Sequence, residues 1–139
     1  MKQDITTLHV QSQGAGLYDF TRELNSWVQS TGIYDGLLTV FCRHTSASLT
    51  VQENADPDVL HDLQTYFRKL VPEGSDLYRH AQEGLDDMPA HIRTVLTDVS
   101  LSIPVQGGQA VLGMWQGIYL FEHRSHSQNR EVVLQLMGQ

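Results

Sequence analysis

Seven histidines lie among 139 residues, and three of them sit in segments crowded with carboxylates and hydroxyls. His44 opens the run Thr45-Ser46-Ala47-Ser48-Leu49-Thr50-Val51-Gln52-Glu53-Asn54. His91 closes Glu83-Gly84-Leu85-Asp86-Asp87-Met88-Pro89-Ala90, just ahead of Ile92-Arg93. His123 stands in Glu122-His123-Arg124-Ser125-His126. Imidazole and carboxylate together can move protons or hold a divalent metal. None of the contiguous metal spacings HExxH, CxxC or HxH is present, so a metal would need histidines that meet in space from separate elements.

Each group also has an ordinary structural reading. With the period of two of a strand, Val40, Cys42 and His44 share one face, which turns His44 inward at the strand's mouth. A histidine there is often satisfied by a backbone carbonyl, with Ser46 and Ser48 as turn residues. Strand ends, however, hold the first loop residues rigidly, as a site requires, and Glu53 and Asn54 downstream favour a working role. Asp87 can cap a helix. Two adjacent aspartates cannot both do so, which frees one to accept a proton from a histidine ring and fix its tautomer. His123 shares a face with Tyr119 and Phe121, while Glu122 and Arg124 share the other. His9, His61 and His126 read as solvated, and His80, in Leu77-Tyr78-Arg79-His80, is left unassigned. Cys42 with His44 would make a nucleophile only if exposed and lowered in pKa; a lone Cys in an apolar strand packs as a small core residue.

The elements that must position these groups follow from periodicity. Ile5 to Val10 reads as a first strand, broken at Gly14-Ala15-Gly16. Leu17, Phe20, Leu24, Trp27 and Val28 form one helical stripe that Thr31-Gly32 ends. Leu37 to Arg43 is a strand apolar on both faces and therefore central, and Ser48 to Val51 a short one. Asp56-Pro57 starts a helix with Leu60, Leu63, Phe67, Leu70 and Val71 as its buried stripe. After the Pro72-Glu73-Gly74-Ser75 breaker, Asp76 to Asp87 carries no periodic signal, and a short helix runs from about Met88 to Thr97. Val99, Leu101, Ile103 and Val105 alternate as a strand, with Pro104 placing it at an edge or bulge. Gln106-Gly107-Gly108 is a hairpin turn, and Trp115 to Glu122 and Val132 to Met137 are two further strands. The order β-α-β-β-α-α-β-β-β is no repeating βαβ unit, so the fold class is α+β.

Length and composition bound the rest. A chain of 139 residues with 40% hydrophobic and 18% charged residues reads as one domain over residues 1–139 with an ordinary core. The net charge of −7 disfavours nucleic acid, whose binding rests on neutralising phosphates. No apolar run approaches the roughly 18 residues that cross a bilayer, and Met1-Lys2-Gln3-Asp4 leads straight into a strand-like pattern with no secretory signal. Cys42 is the only cysteine, which fits a reducing compartment, so the expected location is cytoplasmic.

His44-Thr45-Ser46-Ala47-Ser48, Glu53-Asn54, Asp86-Asp87-Met88-Pro89-Ala90-His91-Ile92-Arg93 and Gly113-Met114-Trp115-Gln116-Gly117-Ile118 closely resemble, in order and spacing, the motifs of the YjbQ-like family. The resemblance runs over essentially the whole chain, and Met114 departs from the Thr or Leu expected there. It implies an α+β fold with mostly antiparallel sheets, a homotrimer, and a clustered histidine site that holds metal in some members. It also implies a secondary thiamine-phosphate synthase activity, the joining of a pyrimidine diphosphate to a thiazole phosphate.

These readings combine into one expectation. A divalent metal, zinc or another, is held by His44, His91 and His123, with no organic cofactor. His44, Glu53, Asp87 and His91 carry the chemistry, Glu53 or Asp87 supporting the metal or acting as base. Ser46, Ser48, Asn54, Arg93, Trp115 and Gln116 line the substrate, a small phosphorylated metabolite. Arg93 and Arg124, with the N–H groups near Gly107-Gly108, are the candidates for holding phosphate. Two alternatives stay open: a metal-dependent hydrolase of such a metabolite, and a non-catalytic metabolite-binding trimer.

Overall fold

Eleven elements follow one another in the computed structural model, which describes residues 1–139: β1 (Lys2–Gln13), β2 (Gly16–Asp19), α1 (Thr21–Ser30), β3 (Gly36–Cys42), β4 (Ala47–Glu53), α2 (Pro57–Leu70), α3 (Asp87–Leu96), β5 (Ser100–Gln106), β6 (Gln109–Ala110), β7 (Gln116–Glu122) and β8 (Ser127–Gly138). A five-stranded sheet has the order β1-β8-β3-β5-β6 and a three-stranded sheet the order β2-β7-β4. Every strand pair in both sheets is antiparallel. The α+β class, the antiparallel sheets and the central place of β3 agree with the sequence reading.

The core lies between the two sheets. Leu38, Val40 and Cys42 of β3 and Val132, Leu134 and Leu136 of β8 meet Leu49 of β4 and Ile118 and Leu120 of β7, all essentially out of solvent. Phe20, just before α1, and Leu24 and Val28 of α1 close one end. Each such side chain contributes roughly 1.5–3 kcal/mol by leaving water. β3 and β8 pair so closely at Gly36 and Gly138 that a Cβ on Gly36 would overlap the Met137 carbonyl oxygen. The β5–β6 turn places Gly107 and Gly108 at φ 63° and 76°, the left-handed pair that a two-residue hairpin demands.

Several elements differ from the sequence reading. The helix expected from Leu17 starts at Thr21, because Asp19 accepts from the Thr21 N–H (2.9 Å) and hydroxyl (2.6 Å) and fixes the start there. Leu17 instead pairs with Phe121 in β2. The apolar outer face of β3 is open: Leu37 is 51% and Phe41 44% exposed, beside Met137 of β8 at 44%. Of the stripe expected for α2, Val71 is buried, Leu60, Leu63 and Phe67 are half-buried and Leu70 is exposed, with Phe67 edge-on to Phe121 at 5.3 Å. Asp56 caps α2 as expected, accepting from the Asp58 N–H. No helix is long and apolar enough to cross a membrane.

β7 is the element that positions the site. Its Ile118, Leu120 and Glu122 face the five-stranded sheet, and Phe121 packs on Phe67 of α2 with His123, just past the strand, against it. Being buried on both faces, it carries its C-terminal residues to the N-terminal end of α3 at fixed height.

Candidate metal centre

Asp87 and His91 are one helical turn apart on α3, so their side chains share a face. His91 Nδ1 lies 2.8 Å from the Thr45 carbonyl oxygen and its Nε2 3.0 Å from Asp87 Oδ2. A carbonyl can only accept, so Nδ1 carries a proton and, in the neutral ring, Nε2 offers a lone pair. A lone pair facing a carboxylate oxygen is satisfied by a proton or a cation between them. His80, on the loop between α2 and α3, adds a second imidazole: its Nε2 lies 2.5 Å from the same Asp87 oxygen and 3.0 Å from Glu83 Oε2. The rings of His80 and His91 stand edge to face with centroids 5.4 Å apart. Ligand atoms of His80, Asp87 and His91 all lie within 4.8 Å of one another.

Arg124, just past β7, holds this cluster in place. Its Nε donates to Asp86 Oδ2 at 2.8 Å and its Nη2 to the Glu83 carbonyl at 3.0 Å, while its Nη1 forms an ion pair with Asp87 Oδ1 at 2.8 Å. The Ser125 N–H also donates to Asp86. Neither aspartate therefore caps α3, which revises the expectation for Asp87 as a cap. Burial alone would raise the carboxyl of Asp86, but Arg124 and the Ser125 N–H outweigh it and hold Asp86 down at about 2. Asp87 is lowered in the same manner, burial being offset by His80, Arg124 and His91. An ionised Asp87 with two imidazole nitrogens is a donor set that suits zinc and leaves a fourth position open.

The expected metal trio of His44, His91 and His123 does not assemble. His44 Nε2 accepts the Glu131 N–H at 2.8 Å, so its lone pair is already used. Burial, and then the charge of Arg130, lowers its pKa and keeps the ring neutral. His123 is 2% exposed and its Nε2 lies 2.8 Å from Ser48 Oγ. Burial, followed by the charge of Arg93, pushes His123 down to about 3. Both rings are engaged in hydrogen bonds within the protein, and it is His80 that lies beside Asp87 and His91. Ser46 and Ser48 are buried and bonded within the protein: Ser46 Oγ accepts from Arg130 Nη2 at 3.0 Å, and Ser48 Oγ meets Thr97 Oγ1 at 2.7 Å as well as His123. Cys42 is buried and pushed up to about 11 by that burial, which rules against a thiolate nucleophile.

Glu53, Asn54, Trp115 and Gln116 gather elsewhere. Glu53 pairs with Gln116 at one end of the β4–β7 ladder and Ala47 with Glu122 at the other, a separation of roughly 20 Å at strand rise. At that far end Glu53 accepts from the Ala55 and Asp56 N–H groups. Asn54 Nδ2 donates to the Met114 and Gln116 carbonyls, and Gln116 Oε1 accepts the Gly113 N–H. Trp115 is 61% exposed. Within one chain these four cannot reach a ligand held by His91. The N–H groups of Gly107 and Gly108 are also spoken for, by Asp35 Oδ1 and the Tyr34 carbonyl.

Two hollows flank α3. One, of about 400 Å³, is lined by His44, Thr45, His91, Thr94, Thr97 and the valines beside them. It brings His44 and His91 onto a common cleft without making them ligands of one ion. The other, of about 340 Å³, lies on the opposite side against Arg93 and His123.

The model of the UPF0047 protein YjbQ-like family matches residues 6–139. The chain belongs to the YjbQ-like UPF0047 family. The UPF0047 protein sll1880 of Synechocystis is 51% identical over 99% of this chain and 94% of its own length. The UPF0047 protein YjbQ of Escherichia coli is 41% identical over 96% of each. The conserved hypothetical protein TT1486 of Thermus thermophilus superposes with a TM-score of 0.86 at 33% identity, over 95% of this chain and 99% of that one. In this YjbQ-like chain, Asp87 and His91 of the cluster fall within the motif that carries the family resemblance, whereas His80 lies outside it. The one local signal for His80 is its i, i+3 spacing to Glu83, with the spare aspartate seven residues on.

Proposed function

We propose that His80, Asp87 and His91 hold one divalent cation, with zinc the best match, beside a cleft that accepts a small phosphorylated metabolite. The observation that carries this reading is the orientation of His91. Its Nδ1 is committed to the Thr45 carbonyl, so Nε2 is presented to the carboxylate of Asp87. A backbone acceptor behind a histidine is the usual means of fixing a metal-binding tautomer. A cation there would neutralise negative charge on phosphate oxygens. Arg124 keeps Asp87 ionised and fixed, while the loop bearing Glu83 stays open to solvent. Val95 and Val99 give the cleft apolar walls, and the hydroxyls of Thr94 and Thr97 border it.

The named reaction is thiamine-phosphate formation, in which diphosphate leaves a pyrimidine as it joins a thiazole phosphate; it enters through the family resemblance and is a secondary, transferase-type activity. A hydrolase reading draws on Glu83, whose exposed carboxylate beside His80 is placed to take a proton from water. Assembly as a homotrimer accords with the open apolar face of β3 and β8, since contiguous exposed apolar surface marks an association face. The buried, single Cys42 accords with a cytoplasmic setting.

The test is turnover by the zinc- or manganese-loaded protein with a pyrimidine diphosphate and a thiazole phosphate, alongside a panel of phosphate esters. Product formed by wild type and lost in Asp87→Asn and His91→Ala, with folding intact, supports the reading. Phosphate release without condensation selects the hydrolase. Absence of product from every pairing, with metal bound, overturns the enzymatic reading and leaves a binding trimer.

A further inference from the structure

Arg93 is a buried cation without a counter-ion. It is 7% exposed, and it takes part in none of the chain's ion pairs. Its Nη2 donates to the Val71 carbonyl at 2.8 Å, and its Nε–H is the one buried side-chain polar atom in the protein with no hydrogen-bond partner. A carbonyl supplies only part of what a guanidinium loses on leaving water, and an unpaired buried charge is costly.

The space beside it is a cavity of about 340 Å³, at the small end of the roughly 300–1,000 Å³ range of ligand pockets. Its lining includes Arg68, Arg93, His123, Ser125, Glu73 and Asp86. Asp86 shares Arg124 with Asp87. Arg68, exposed at the rim, donates to Thr65 Oγ1 and pairs with no carboxylate. The two guanidinium groups of the lining face Glu73 at the rim and the Arg124-bound Asp86, and neither is within ion-pair distance of a carboxylate. The charge of Arg93 is also felt by His123, where it adds to burial in lowering the ring's pKa.

We infer that this cavity is an anion subsite that receives a phosphate group, with the Arg93 guanidinium on its inner wall and Arg68 closing its mouth. The cavity adjoins the His80–Asp87–His91 cluster through the chain: Asp86, on its wall, precedes Asp87, and Arg124 bridges both. The inference deepens the reading of a phosphorylated ligand and rests on it for the ligand's larger identity. One phosphate end would occupy this cavity, on the opposite side of α3 from the His44–His91 cleft. Guanidinium is suited to this because its N–H groups match phosphate oxygens in pairs.

The experiment is calorimetric titration of the full chain with inorganic phosphate and with pyrophosphate, in chelator so that no cation contributes. Wild type, Arg68→Gln, Arg93→Lys and His80→Ala are compared. Wild type binding, weakened about tenfold by Arg68→Gln and at least as much by Arg93→Lys but unchanged in His80→Ala, supports the subsite. Arg93→Lys keeps the charge and loses the planar guanidinium; should it fail to fold, Arg68→Gln at the rim carries the test. No affinity of wild type for either anion at millimolar concentration overturns the inference. Equal affinity in the arginine variants, or loss in His80→Ala, overturns it too. Phosphate binding that survives alongside absent turnover would retain the subsite while rejecting the proposed reaction, so the two failures are separable.

Discussion

Thr45 stands behind His91. Its carbonyl oxygen accepts from His91 Nδ1 at 2.8 Å and so decides which nitrogen the ring presents to Asp87. Thr45 lies between β3 and β4, the strand-end loop, whereas His91 rides on α3. The pair therefore fastens the helix that carries the cluster to the mouth of the five-stranded sheet. A second strut does the same from the other sheet: Arg124, after β7, grips both Asp86 and Asp87. The site is rigid because two sheets and a helix each contribute one end of a charged or hydrogen-bonded contact.

The buried pair beneath this loop should be indispensable to the fold. Glu122 is fully buried and accepts from Arg130 Nε and Nη2, Ser12 Oγ, and the N–H groups of His123 and Arg124. Burial on its own would raise its pKa, yet the bonds from Arg130 and Ser12 prevail and lower it. Arg130→Met strands that carboxylate and should cost about 3–5 kcal/mol, read from the denaturant midpoint. The double variant Glu122→Gln/Arg130→Met should recover part of the loss. A single-variant cost below about 1 kcal/mol, in the range of an exposed pair, would contradict the buried charge pairing.

Acid should weaken the protein through His123. Its folded-state pKa, about 3, lies below the ordinary 6.5. Between those values the unfolded chain binds a proton that the native chain refuses. Stability is therefore fully present above about pH 6.5 and falls as pH drops toward 3, by up to about 1.4 kcal/mol per pH unit. Chemical denaturation from pH 7 to pH 4 should show this slope, and His123→Gln should flatten it. Identical pH dependence in the two proteins would mean that His123 is not held neutral. Below about pH 4 the lowered carboxyl of Asp86 adds a further loss.

The far end of the β4–β7 ladder should be separable from the chemistry. Asn54→Ala removes two hydrogen bonds to the Met114 and Gln116 carbonyls. A loss of about 1–2 kcal/mol in stability is expected, with cation affinity at His80, Asp87 and His91 as in wild type. A fall in cation affinity of tenfold or more would show that the two ends communicate.

Much of the architecture is legible in the sequence because it is periodic. The alternation of Val99 to Val105 and the Asp56-Pro57 start of α2 appear in the structure as β5 and a capped helix. β2 and β6, four and two residues long, are too short to set up a period, and only the Gly107-Gly108 turn announces β6. Leu17 fits the helical spacing of Phe20 and Leu24, and only pairing with β7 draws it into a strand. At the site, an aspartate of the Asp86-Asp87 pair can be read as a histidine's partner, because two adjacent aspartates cannot both cap one helix. His80 cannot be placed in this way, since the loop between α2 and α3 has no period and its place is set by tertiary contacts to Asp87 and Glu83. The separation of Glu53 from His91 is equally hidden, because it depends on the register of β4 against β7. Motif residues adjacent in sequence order lie at opposite ends of one ladder.

The most direct measurement is cation content and affinity of the untagged protein after loading with zinc, for wild type, His80→Ala, His91→Ala and His44→Ala. One ion per chain in wild type and in His44→Ala, lost in His80→Ala and His91→Ala while all four remain folded, is the result expected of a His80–Asp87–His91 centre. Metal retained without His80 but lost without His44, or no metal in wild type at all, would contradict it.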